Sequence, residues 1–91
     1  MSDAPLAVTG NMTMGEARAL LAMGTAALSK GDPVFDLSGV AEVDSSGLAV
    51  LFGWQRAAAA CGKTMRVANP PASLVSLAEV YGVTELLPLS A

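Results

Sequence analysis

The chain has 91 residues, room for one domain with one core. Five Lys and Arg against eight Asp and Glu leave a net charge of −3, and the basic residues are scattered, which argues against nucleic-acid and lipid-headgroup binding. The absence of histidine excludes Ser-His-Asp and Cys-His nucleophiles and all histidine metal sites, and the single Cys61 excludes an intramolecular disulfide.

The predicted elements alternate. Leu6 to Thr9 reads as a short strand. Thr13 and Glu16 have capping-box spacing, and Ala17, Leu20, Leu21, Gly24 and Leu28 then share one helical face. Lys30 suits the dipole at that helix's end, and Gly31 suits a left-handed stop. Val34 to Ser38 is a second strand, and Gly39 to Val43 a loop. A second helix runs from about Ser45 to Cys61 and ends at Gly62; Thr64 to Ala68 is a third strand. Asn69-Pro70 reads as an N-cap with Pro at the first helical position of a third helix, whose buried face carries Leu74, Leu77, Ala78 and Tyr81. Val83 to Leu87 adds a last turn before Pro88. The order β-α-β-α-β-α implies an α/β domain with a largely parallel sheet and helices on one face.

Hydrophobic residues make up 53% of the chain and charged residues 14%, against about 25% charged in ordinary domains. No charge-free run approaches the ~20 residues that span a bilayer. Met1 to Pro5 lacks the basic region of a signal peptide. These features lead to the expectation of a cytoplasmic domain with too little polar surface, and hence of a protein partner.

The informative segment runs from Asp36 to Leu48. With Asp44 as N-cap, Ser45, Ser46 and Gly47 are the first helical positions, where N–H groups lack intrahelical partners and the dipole is positive. Hydroxyls there commonly cap and solvate a helix start. They are also sites where a phosphoryl group, with about −1.5 to −2 charges, can be carried without loss of the fold while repelling an acidic or apolar partner. The helix that follows is apolar nearly all round. Leu48, Leu51, Phe52 and Ala59 form an arc that can pack on a sheet, while Val50, Trp54 and Ala57 fall on the far side. That far side is either covered by neighbouring helices or faces a partner, with Trp54 as an anchor.

Asp44-Ser45-Ser46-Gly47-Leu48, preceded by the strand Val34 to Ser38 and followed by the apolar helix, resembles the STAS domain family over about residues 6–88. Its members include bacterial anti-sigma-factor antagonists and the MlaB-type cytoplasmic STAS subunits of phospholipid-transport ABC systems. The resemblance implies a single STAS-type α/β domain across residues 1–91. It implies a small mixed or mostly parallel sheet of about four strands with helices on one face, and no enzymatic activity or cofactor. The stretch Leu77 to Val83 followed by Leu86-Leu87-Pro88 is similar to the end of the transporter subunits. On that branch the chain binds and supports the ATPase of an ABC transporter maintaining outer-membrane phospholipid asymmetry, and meets the inner membrane only through that complex. The partner-binding residues are then Asp44, Ser45, Ser46, Gly47, Val50 and Trp54, with Ser45 as the central polar contact. On the other branch the chain binds a kinase/anti-sigma factor, and Ser46 (or Ser45) accepts a phosphoryl group. Family members usually carry a further strand before the first one here; Met1 to Pro5 is too short for it, so a shorter sheet edge is expected.

Enzyme readings are weak. Gly10 and Gly15 have Walker A spacing, but Glu16-Ala17 stand where Lys-Ser/Thr must be. Asp36, Glu42 and Asp44 lack the spacing of a calcium loop; Glu42 is expected to be solvated, and Asp36 could orient a hydroxyl of the Ser pair. Cys61 reads as a small core residue.

Overall fold

The computed structural model describes residues 5–89. The segment on which the expectation of a shorter sheet edge turns lies largely outside them. The described elements are β1 (Leu6–Met12), a 3-10 turn at Met14–Glu16, α1 (Ala17–Ala27) and a second 3-10 turn at Leu28–Lys30. There follow β2 (Val34–Val43), α2 (Ser45–Ala60), β3 (Arg66–Ala68), α3 (Ala72–Val80) and a 3-10 turn at Thr84–Leu86.

The strands lie in the order β1-β2-β3, all parallel. Right-handed crossovers that keep stepping in one direction deposit every connecting helix on the same face. Helix α2 accordingly packs against both α1 and α3. The strands show it too: Val8, Phe35, Leu37 and Val67 are buried on the helical side, while Ala7, Thr9, Ser38 and Arg66 are exposed. Among the described residues, Leu89 adds a single parallel bridge to Val67, at the place of a fourth strand.

Strand β2 runs to Val43, so Gly39 to Val43 is strand and not loop. Its partner β1 is longer too, and the ladder continues through two register shifts, between Ala7 and Thr9 and between Gly10 and Met12. Gly10 sits at φ 84° beside the second shift, a conformation glycine adopts without steric cost. Helix α1 starts three residues late: Thr13 Oγ1 donates to Glu16 Oε1 (2.6 Å) and makes no backbone cap. Asn69 does not cap α3 either. It has φ 54° and donates its side-chain amide to Asp36 (3.1 Å), while Pro71 precedes the helix.

The core is built around Trp54 and Phe35, both fully buried, with ring centroids 4.2 Å apart and planes 16° from parallel. Such a stack adds about 0.5–1.5 kcal/mol beyond area burial. Trp54 Nε1 donates to the Leu20 carbonyl (2.9 Å), so the indole is wedged between β2 and α1. Val50 is buried as well. The outward orientation expected of Val50 and Trp54 is therefore corrected: α2 turns this side to the sheet and to α1, and its outer side carries the exposed Ala49, Arg56 and Ala59, the last of which was expected against the sheet. Cys61 is corrected in the other sense: it follows the last residue of α2 and is exposed.

Candidate functional site

The head of α2 is held by one carboxylate. Asp44 has extended backbone (φ −115°, ψ −171°), and its Oδ1 accepts from the N–H groups of Ser46 (2.8 Å) and Gly47 (3.2 Å). Its Oδ2 accepts from the N–H of Met14 (3.1 Å), and its own N–H donates to the Met12 carbonyl (3.2 Å). Asp44 thus caps α2 and ties the turn after β1 to it. Gly47 meets the same turn from the helix side: a Cβ there would overlap the Met12 carbonyl and lie 2.8 Å from the Met12 Cβ. The Asp-Ser-Ser-Gly run is required at both ends, by the cap and by this contact.

Between those fixed residues the two hydroxyls differ. Ser45 is exposed, and Ser46 is half-buried. Ser45, Asp44 and Val43 form one wall of an open groove of about 430 Å³. Helix α3 forms the other wall, through Ser73, Ser76, Leu77, Val80 and Tyr81. Val80 is 79% exposed and Tyr81 56%, and Met14, on the turn that Asp44 holds, is 76% exposed. These are large apolar surfaces presented to solvent close to the helix head.

The structure therefore brings together Asp44, Ser45, Ser46 and Gly47 and leaves Val50 and Trp54 in the core. Asp36 is also remote from the serines. Strand β2 continues seven residues beyond it, about 23 Å of extended chain. Its carboxylate is held below the ordinary aspartate range by the Ser38 N–H, then by the Asn69 amide and the Ser38 hydroxyl. Glu42 is exposed, as expected. Sequence reading missed Met14 and Val80. For Val80 a signal existed: it lies 200° around the helix from the buried Ala78, so it faces away from the core. Tyr81 was placed on the buried face but lies at the C-cap of α3, where the helix has ended. Among the described residues no group of three or more His, Cys, Asp or Glu side chains is disposed to hold a metal ion, and no helix is long and apolar enough to cross a membrane.

The arrangement is an open groove with the exposed Ser45 on one wall and the exposed Val80 and Tyr81 on the other. No curated protein matches the chain. Among solved structures it is similar to the anti-sigma factor antagonist SpoIIAA in its unphosphorylated form, with a TM-score of 0.65 and 16% identity, covering 98% of this chain and 81% of that one. A family model described as "Mlab, STAS domain" matches residues 1–88. On that match the chain belongs to the STAS domain family.

Proposed function

We propose that this chain is a non-catalytic STAS subunit that docks on the ATPase of an ABC transporter maintaining phospholipid asymmetry in the outer membrane. One observation carries the reading. The exposed Ser45 hydroxyl at the head of α2 opens onto an apolar groove whose far wall carries the exposed Val80 and Tyr81 beside a half-buried Leu77. Ser45 is the central polar contact, with Asp44, Ser46 and Gly47 holding the helix head in place. The family description favours the transporter branch over the switch branch. Contact with the inner membrane, on the cytoplasmic side, runs through the complex.

A second reading has its own support in the likeness to SpoIIAA. Here the chain is an anti-sigma-factor antagonist that binds a kinase/anti-sigma factor until a serine is phosphorylated. Ser46 is the acceptor carried over from the family pattern, and Ser45 is the more accessible hydroxyl. A phosphate at either place would put about two negative charges beside Asp44 and the groove.

Affinity co-purification from the native cell, with mass spectrometry, tests both. An ABC ATPase and its permease in near-equal amounts support the first reading. A kinase/anti-sigma factor, with a growth-dependent phosphoryl adduct on the intact chain, replaces it with the second.

A further inference from the structure

The two edges of the sheet are unlike. At one, β3 is three residues long and opens on the charged Arg66. Its Val67 N–H donates to the Pro88 carbonyl (2.8 Å), beside the Leu89 bridge. Short length, charge and cover are the ordinary protections of an edge strand. At the other edge, β1 runs seven residues, Leu6–Met12, with no Lys, Arg, Asp, Glu or Pro among them. Among the described residues it pairs with β2 alone. At each register shift β2 advances three residues while β1 advances two, so the extra residue lies in β2 and not in the edge strand. The side-chain layer beneath the helices is open here as well. Leu6, Phe35 and Val67 stand in one row across the three strands; Phe35 and Val67 are fully buried and Leu6 is 37% exposed.

Above this edge lies a flank of α1 with the same character. Leu21 turns toward α2, its Cδ1 2.8 Å from where a Cβ on Gly53 would lie. Ala19, Met23 and Ala26 lie about 140–200° around the helix from Leu21, on the side away from α2. From Ala19 to Ala27 the helix carries no charge. A two-fold axis sets each charge beside it against its own like, so charge on such a surface repels a second copy. Strand β1 and this flank carry none.

We propose that β1 pairs antiparallel with β1 of a second copy of this chain, joining two three-stranded sheets into one of six strands. A two-fold axis normal to the sheet keeps the helices of both copies on one face. Directly opposed residues share a face, so that axis passes through a residue and its own copy, not between two residues. Gly10, at φ 84°, bends the strand and confines the pairing to its first part, which leaves Ala7 or Val8 at the centre. Leu6 then lies against Val8 or Gly10 of the second copy, and its row is closed. Helix α2 packs against α1 on this side and α3 on the other, so the pairing leaves the groove at Ser45 free and does not depend on the docking role above.

The test is the mass of the full chain in solution, by light scattering over a range of concentrations. The expected mass is twice the 9.1 kDa of the chain. Ala7→Lys and Thr9→Lys, at exposed positions of β1, put like charges across the axis and should halve that mass. Ser38→Lys, exposed on the same face of the central strand, and Ser45→Lys should leave it unchanged. Circular dichroism of each variant controls for folding. Crosslinking reads the pairing without added charge. With Cys61→Ser as background, a short thiol-to-thiol crosslinker should join Ala7→Cys to itself, or to Thr9→Cys in a mixture of the two, and should not join Ser38→Cys. A monomer at every concentration overturns the proposal. So does a dimer that withstands both β1 lysines, one that Ser38→Lys or Ser45→Lys dissociates, or one with no crosslink at β1.

Discussion

The indole of Trp54 occupies the space that a side chain on Gly24 would need. A Cβ built on Gly24 would come within 2.5 Å of the ring's Cε2, and the ring is held on its other side by Phe35. Helix α1 can approach α2 because this position on its inner face is bare. Replacing a helical glycine with alanine ordinarily gains up to about 1 kcal/mol. Here overpacking of a rigid, fully buried ring costs about 1–3 kcal/mol, so the steric term wins. Gly24→Ala should therefore lower the urea midpoint with little change in slope.

Trp54 is a stability residue by the same geometry. Trp54→Ala should cost about 3–5 kcal/mol and leave much of the chain unfolded. Trp54→Asp would abolish partner binding only by abolishing the fold, which near-ultraviolet circular dichroism distinguishes from loss of an interface.

Asp44→Ala removes the cap of α2 and the acceptor for the Met14 N–H together. Loss of such a cap costs about 0.5–2 kcal/mol. Hydrogen exchange should accelerate at Met14, Ser46 and Gly47 ahead of the α2 interior. Equal acceleration throughout α2 would show that the carboxylate holds no local latch.

Ser45 is exposed, so its substitutions should separate folding from docking. Ser45→Arg should melt within about 0.5 kcal/mol of the wild type, the range of ordinary surface changes. In a pull-down from the native cell it should lose the partner. Retention of the partner would remove Ser45 from the interface.

Asp36 gives the pH prediction. Its folded-state pKa is depressed, first by the Ser38 N–H and then by the Asn69 amide and the Ser38 hydroxyl. A depressed carboxylate contributes stability above its unfolded pKa, and that contribution is lost as pH falls through the folded value. Asn69→Ala should raise the Asp36 pKa toward the ordinary range, read by a carbon-13 titration of the carboxyl, and should move the loss of stability to higher pH.

Much of the fold is legible in the chain because the signals are local. Helix α2 begins and ends within a residue of its predicted bounds, since Asp44 supplies its own cap and Gly62 (φ 70°) terminates the turn after it. The predicted second strand stops at Ser38 because Gly39, Ala41 and Glu42 have weak strand propensity. Hydrogen bonding to β1 overrides that preference, and a single-segment reading does not contain it. The helix head of the candidate site was legible for the same local reason. Its α3 wall and Met14 were not, because they reach Ser45 only through the packing of α3 beside α2 and the Asp44–Met14 bond across 30 positions of sequence.

By itself the sequence determined the β-α-β-α-β-α order, the cap at Asp44 and the exclusion of histidine chemistry, all properties of residue type and near-neighbour spacing. Only the tertiary structure decided which face of α2 is free. An α-helix that is apolar all round carries no mark of which side its neighbours will cover. Trp54 stacks on Phe35 of β2 and fills the space beside the bare Gly24 of α1, so α2 turns its Val50–Trp54 side inward and leaves Ser45, Ala49 and Arg56 exposed, because only packing sets how a helix rolls on its sheet.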